Sequence, residues 1–271
     1  MLISTMLHTL RIPTKEQYAY IEVQYEGTSE QAYAEYLRLT GLVQNGVSGF
    51  EKIKTFTGEL VRYNAVDHIY TDMKGNRLMS GSTYKKSLEK PFDLDRIAPL
   101  TAKKHGVEEA HIRDMWKRNG EISSGLGTSL HQAMEQFFKH RENGTEKNYH
   151  LPKHPFLRKA VESFPLREAT EAHPEIMVSD VKQLRVGQID LLVVDEPMTG
   201  RIIDYKSDAE IEKHINDHFN QLSWYAAILK AHGWNITGLE VWNYTDDWVC
   251  LHSPVLELRG KLVQGGAGGT A

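Results

Sequence analysis

The sequence has 271 residues, of which 40% are hydrophobic and 25% are charged, so it is long enough to bury a sizeable core. These values are typical of a globular protein, and no apolar run approaches the roughly 18 residues of a membrane-spanning helix. The net charge of −4 excludes a protein that coats nucleic acid as a general polycation. The single cysteine, Cys250, excludes a disulfide framework, a cysteine-rich zinc site and a four-cysteine iron–sulfur cluster.

The first 57 residues predict a small N-terminal β-α appendage. Residues 17–25 (QYAYIEVQY) are aromatic and β-branched, which favours a strand. Thr28 and Gln31 form a capping-box pattern, which predicts a helix to about residue 43. Residues 1–15 lack acidic side chains, but Pro13 interrupts any amphipathic helix there. We therefore expect a cytoplasmic protein rather than one targeted to the mitochondrial matrix.

The middle of the chain predicts strands followed by helices. Strands are expected at 51–56 and 68–79, and the second of these folds into a hairpin at the Lys74-Gly75-Asn76 turn. Helical patterns dominate residues 83–140. The sequence predicts breaks in them near Pro91, Gly106 and Gly120, and a further short helix at 155–164.

The second half predicts a strand-rich core. The expected elements are strands at 175–194 and 200–206 joined by a turn at 195–199, a helix at 211–232 ended by Gly233, and strands at 236–244 and 248–252. This order predicts an α/β fold with a central mixed β-sheet flanked by helices. The glycine-rich tail, residues 261–271, has little to bury and is expected to be disordered.

The first chemically interesting stretch is GTSLHQAME, residues 127–135. Ser129 and Gln132 form another capping-box pattern, so we expect a helix to start here. His131 and Glu135 lie four residues apart and therefore share one helix face, beside an apolar stripe. A His/Glu pair in this position is more often a structural hydrogen bond than a functional site, and the pattern alone leaves both readings open.

The second stretch combines GQID, which ends at Asp190, with IDYK, which ends at Lys206. If the turn centres near Pro197, Asp190 and Asp204 lie opposite each other with their Cβ atoms ~5 Å apart. Facing carboxylates destabilise a hairpin unless a cation lies between them, and a divalent ion is a natural ligand for such oxygens. An exposed hairpin with an ordinary Asp–Lys pair is the alternative, which the apolar neighbours make less favourable.

The third stretch is QLSWY, residues 221–225, on the helix that follows the hairpin. Gln221 and Tyr225 are again four residues apart on one helix face. Each could reach a phosphate or hold Lys206 in place. A buried tyrosine with a polar tip is the alternative interpretation.

Taken in chain order, the four patterns GTxxHxxxE, GxxD, DxK and QxxxY resemble the RecB-like branch of the PD-(D/E)XK nuclease superfamily, of the phage and bacterial exonuclease type. The resemblance covers about residues 80–252. It implies a restriction-endonuclease-like core, which we place at 58–260. The iron–sulfur cluster of some relatives is not expected here, because one cysteine cannot hold it.

The resemblance also implies roles for particular residues. It implies a site for one or two Mg²⁺ or Mn²⁺ ions, held by His131, Asp190, Asp204 and the backbone carbonyl of Tyr205. Lys206 is implied to be catalytic together with the two aspartates. The remaining candidates are Gln221 and Tyr225 for contact with DNA, Glu135 as a supporting residue, and Glu175 as an acidic residue that the motifs do not fix.

The function implied is that of a metal-dependent DNA exonuclease in DNA processing, recombination or repair. A structure-specific flap endonuclease and a catalytically weak DNA-binding recombination module are the alternatives. The expected partner is DNA, and no membrane is expected. A helicase, an annealing protein or a single-strand-binding protein would be a separate chain, because the sequence has no GxxxxGK[ST] motif. A zinc peptidase is excluded because the chain reads HQAME where HExxH is required.

Overall fold

The chain divides into two compact units, Met1–Glu51 and Lys52–Ala271. The computed structural model describes residues 6–13, 20–27, 50–64, 68–89, 92–169 and 171–258. In the first unit it describes an antiparallel hairpin of β1 (Met6–Pro13) and β2 (Tyr20–Gly27). The second of these strands overlaps the predicted strand at 17–25. The helix predicted after Thr28 and the tail at 261–271 lie outside the described residues.

The division falls a few residues before the boundary that the sequence suggests between residues 57 and 58. Segment 52–57 makes hydrogen bonds within the larger unit, since the Phe56 N–H donates to the Met177 carbonyl oxygen over 2.7 Å. The limits 58–260 for a nuclease domain remain a prediction.

The larger unit is built on one mixed sheet. Its strands are β3 (Glu51–Lys54), β4 (Leu60–Asn64), β5 (Ile69–Asp72), β6 (Arg77–Ser80), β7 (Glu171–Asp180), β8 (Arg185–Glu196), β9 (Thr199–Lys206), β10 (Asn235–Tyr244) and β11 (Trp248–Ser253). Their order is β11-β10-β9-β8-β6-β5-β4-β3, and β7 pairs with β8. The β6–β8 and β9–β10 pairs are parallel, whereas β4–β5, β5–β6, β7–β8, β8–β9 and β10–β11 are antiparallel. The central mixed sheet predicted from the sequence is confirmed.

Helices cover both faces of this sheet. They are α1 (Gly81–Leu88), α2 (Leu94–His105), α3 (Glu109–Glu142), α4 (Pro155–Ser163) and α5 (Ile215–Ala231). Leu192 and Ile202 pack in one core with α5, while Leu191 and Ile203 pack in another core with α3 and α4. Neighbouring residues of a strand point to opposite faces, so each face of the sheet has its own helical layer. The predicted α/β fold class is therefore confirmed.

Two sequence predictions about α3 are wrong. The helix is continuous from Glu109 to Glu142, so it neither breaks at Gly120 nor starts at Ser129. The Ser129 hydroxyl donates to the Gly125 carbonyl oxygen over 2.9 Å, inside the helix, and caps nothing. A glycine inside a helix costs only about 1 kcal/mol, which the buried apolar stripe of the same helix readily outweighs.

The strand predictions also differ from the structure in two places. The sequence predicts no strand between residues 58 and 67, where β4 joins the sheet. The stretch 175–194, predicted as one strand, contains a turn at 181–184 and contributes to two antiparallel neighbours, β7 and β8. This turn lets β7 fold back along β8 and brings Glu175 beside Asp190.

Candidate metal centre

The hairpin of β8 and β9 brings two motif aspartates to adjacent positions. Leu191 pairs with Ile203, so the next positions along the two strands are Asp190 and Asp204. The predicted register is thus confirmed. The Tyr205 N–H donates to Oδ2 of Asp190 over 2.9 Å, which ties the start of this site to the backbone of β9.

His131 on α3 lies between Asp190 and the backbone of β9. Its Nδ1 atom is 3.3 Å from Oδ2 of Asp190, and its Nε2–H donates to the Tyr205 carbonyl oxygen over 2.8 Å. Burial disfavours the charged ring, but the negative charge of Asp190 outweighs this and raises the pKa of His131 to about 9. Burial also disfavours the Asp190 carboxylate, yet His131 and then Lys206 hold the pKa of Asp190 well below its usual range.

Asp204 forms an ion pair with the ammonium group of Lys206. Nζ of Lys206 lies 2.7 Å from each carboxylate oxygen of Asp204 and donates to the Tyr205 carbonyl oxygen over 2.9 Å. Burial raises the pKa of Asp204, although Lys206 opposes that shift. In the described site, His131 therefore lies beside the carboxylate of Asp190 and Lys206 beside that of Asp204. The metal ion expected between the two aspartates stays a prediction.

Glu175 on β7 joins this site from the other edge of β8. Among the described residues, His131, Glu175 and Asp190 form a group whose potential ligand atoms all lie within 4.8 Å of one another. Burial, followed by repulsion from Asp190 and Glu135, raises the pKa of Glu175 to about 7. The sequence motifs leave Glu175 undecided, and the only signal for it is an acidic residue on the strand before GxxD.

An open cavity of about 330 Å³ gives access to this group. It is lined by Gly127, Thr128, His131, Gln132, Glu135 and Glu175. The predicted supporting residue, Glu135, therefore borders the cavity, where it also forms an ion pair with Lys139 one helical turn away. A ligand in this cavity would meet His131 and Glu175 directly.

Gln221 and Tyr225 on α5 are linked to each other. The Gln221 side-chain amide donates to the Tyr225 hydroxyl over 2.7 Å, and Tyr225 is only 5% exposed. The tyrosine ring packs on two glycine backbones, since a Cβ added at Gly187 would lie 2.1 Å from Cε1 and one added at Gly81 would lie 2.3 Å from it. The glycine of GxxD thus leaves the space that the tyrosine ring of QxxxY occupies. The spacing of the motifs in the sequence does not reveal this contact.

The donor set suits a hard divalent cation. One imidazole nitrogen and several carboxylate oxygens are ligands that Mg²⁺ and Mn²⁺ accept. Asp204 lies outside the group formed by His131, Glu175 and Asp190, and its carboxylate contacts Nζ of Lys206. Ligation by the Tyr205 carbonyl oxygen would require His131 and Lys206 to turn away from it.

Comparison with known proteins identifies the family. The model of the PD-(D/E)XK nuclease superfamily matches residues 104–246, which is just over half of the chain. The chain therefore belongs to the PD-(D/E)XK nuclease superfamily. Membership implies metal-dependent nuclease activity, and nucleases of this superfamily use divalent ions and act on DNA. The search of curated proteins returned no match. None of the helices in the described ranges is both long and apolar enough to cross a membrane.

Proposed function

We propose that the protein is a metal-dependent DNA exonuclease of the RecB-like branch, which hydrolyses phosphodiester bonds in DNA processing, recombination or repair. The observation that carries this proposal is the chain of contacts from Asp190 through His131 and the Tyr205 carbonyl oxygen to Lys206. The choice of branch rests on the four motifs in their chain order. The proposed setting is the cytoplasm of a bacterial or phage-infected cell.

The proposed cofactor is Mg²⁺ or Mn²⁺, as one or two ions. A bound ion would lower the pKa of a water molecule and offset the charge of the phosphate. Asp190 and His131 are the central ligands in this proposal, and Asp204 and the Tyr205 carbonyl oxygen complete the set. Metal binding would require His131 to lose its proton and Lys206 to move away from Asp204. At present the His131 ring contacts the carboxylate of Asp190, and the Lys206 ammonium group contacts that of Asp204.

Lys206 has the chemistry of an electrostatic catalyst. Its ammonium group lies in a largely buried site, where a positive charge stabilises negative charge on a phosphate more strongly than it would in water. If Asp204 bound a metal ion instead of Lys206, Nζ of Lys206 would be free to stabilise the negative charge that develops on the attacked phosphate. Gln221 is half-buried and is the member of the α5 pair that we propose to contact DNA, while Tyr225 orients it.

DNA must approach a protein whose net charge is −4. In this proposal the metal ion and nearby basic residues make the electrostatic potential at the site positive. Examples of such residues are Lys103 and Lys104, which are exposed in the last turn of α2. A helicase, an annealing protein or a single-strand-binding protein is the proposed partner that prepares the DNA end.

Digestion of end-labelled linear duplex, covalently closed circles and flapped DNA, each with Mg²⁺, Mn²⁺ or EDTA, tests this function. We expect the linear DNA to be degraded from its ends, the closed circles to resist, and EDTA to stop cleavage until metal is restored. The Asp190→Asn variant, purified in parallel, controls for a contaminating nuclease. Rapid cutting of closed circles or a single cut at the flap would favour an endonuclease, and DNA binding without any cleavage would favour a binding module.

A further inference from the structure

Glu175 has an unusual backbone for its place in the fold. Among the described residues, the non-glycine residues with positive φ are His68, Glu175, Leu184 and Met198. His68, Leu184 and Met198 lie in turns, where such conformations are common, but Glu175 lies inside strand β7 with φ of +50°. Glutamate has no side-chain feature that favours this conformation, so the surrounding structure must impose it.

The consequence of this backbone is the placement of the Glu175 carboxylate. The ladder between β7 and β8 pairs Pro174 with Leu191 and Ile176 with Ile189, so the residue opposite Glu175 is Asp190. Two carboxylates are therefore placed at opposing positions of neighbouring strands. Like charges in this arrangement repel each other, and the repulsion is relieved when a cation binds both.

Neighbouring side chains fix the carboxylate at this position. The Gln188 side-chain amide donates to Oε2 of Glu175 over 2.6 Å. On the other side, His131 brings a ring nitrogen within 4.8 Å of the ligand atoms of both Glu175 and Asp190. A hydrogen bond that orients a carboxylate beside two other ligand atoms is the usual outer support of a metal site.

We propose that Glu175 is a direct metal ligand, which completes a three-residue site with His131 and Asp190. This inference rests on the proposed function and deepens it, since Glu175 lies outside the four motifs. The strained conformation of β7 is the means by which a strand residue reaches the ion. Asp204 and the Tyr205 carbonyl oxygen then join from β9 when Lys206 moves.

The test measures Mn²⁺ binding directly, by isothermal titration calorimetry of the full chain without DNA. Glu175→Gln keeps the size of the side chain and removes its charge. Glu171→Gln is the matched control, because it removes the same charge from an exposed position on the same strand, where Glu171 contacts His173. Glu175→Gly is a second variant that also removes the carboxylate. Glycine adopts a positive φ without steric cost, so this variant should fold even if Glu175→Gln does not.

We expect Glu175→Gln and Glu175→Gly to weaken Mn²⁺ binding by at least about tenfold, while Glu171→Gln binds like the wild type. Melting in EDTA should show both Glu175 variants folded, because the repulsion from Asp190 is gone. If the wild type binds Mn²⁺ and both Glu175 variants bind it equally well, the inference alone is overturned. If the wild type itself does not bind Mn²⁺ or Mg²⁺, the proposed function fails together with the inference.

Discussion

Replacing Gly187 with alanine should disturb the contact between two of the sequence motifs. Gly187 lies on β8 three residues before Asp190, and the ring of Tyr225 packs directly on its backbone. A Cβ at this position would lie 2.1 Å from Cε1 and 2.4 Å from Cδ1 of Tyr225. The ring has little room to retreat, because it also touches Gly81 and its hydroxyl is held by Gln221.

The size of the effect follows from these distances. Carbon atoms in contact are normally about 3.5–4.0 Å apart, so the added methyl group would overlap the ring by more than about 1 Å. Overpacking of a core usually costs about 1–3 kcal/mol. In a protein of this size each kcal/mol lowers the melting temperature by about 2–4 °C, which predicts a fall of roughly 2–12 °C.

Thermal melting in EDTA measures this effect without a contribution from metal binding. Gly120→Ala is the control, because Gly120 lies inside α3 and a Cβ there would have no heavy atom within 4 Å. In a Tyr225→Ala background the ring is absent, so Gly187→Ala should then cost little. The steric explanation would be refuted if Gly187→Ala melted like the wild type, or if its cost persisted without the Tyr225 ring.

Three further predictions concern the charged residues of the site. Mn²⁺ affinity, measured by calorimetry, should rise about tenfold per pH unit between about pH 7 and pH 9, because the ion must displace the proton that the raised pKa of His131 keeps on the ring. Below about pH 7 the dependence should be steeper, because the raised pKa of Glu175 keeps a second proton at the site; a flat profile would contradict ligation by His131. Asp204→Asn should lower the free energy of unfolding by an amount toward the lower end of about 3–5 kcal/mol, because it leaves the ammonium group of Lys206 without its counter-charge. The melting temperature in EDTA should fall accordingly, and an unchanged or higher value would contradict this. Lys206→Ala should slow single-turnover cleavage while DNA affinity measured in Ca²⁺ changes little. Lost binding with intact cleavage at saturating DNA would make Lys206 a phosphate anchor instead.

The register of the hairpin formed by β8 and β9 could be predicted from the sequence. Strand alternation and a turn near Pro197 predict a pairing in which Asp190 and Asp204 become neighbours, and the pairing of Leu191 with Ile203 agrees with it. The neutralising roles of His131 and Lys206 could not be predicted in the same way. They depend on where α3 crosses the sheet, which is decided by tertiary packing rather than by local pattern.

Local sequence signals were misleading where burial outweighs them. Gly120 and the Ser129 capping pattern favour a helix boundary, but the buried residues Leu130 and Met134 hold α3 together as one helix. The conformation of Glu175 has no sequence signal, because glutamate rarely adopts a positive φ and the strain is imposed by the surrounding fold.

The most direct test of the central claim is the cleavage rate of linear duplex DNA by Asp190→Asn in Mn²⁺. The side-chain oxygen of asparagine can still accept the hydrogen bond from the Tyr205 N–H, so the fold should survive. The negative charge that would hold the metal ion is lost. The control, Asp195→Asn, removes an exposed carboxylate from the same strand. We predict that Asp190→Asn loses cleavage by orders of magnitude, while Asp195→Asn cleaves like the wild type. Cleavage by Asp190→Asn at the wild-type rate would contradict a metal-dependent nuclease site centred on Asp190.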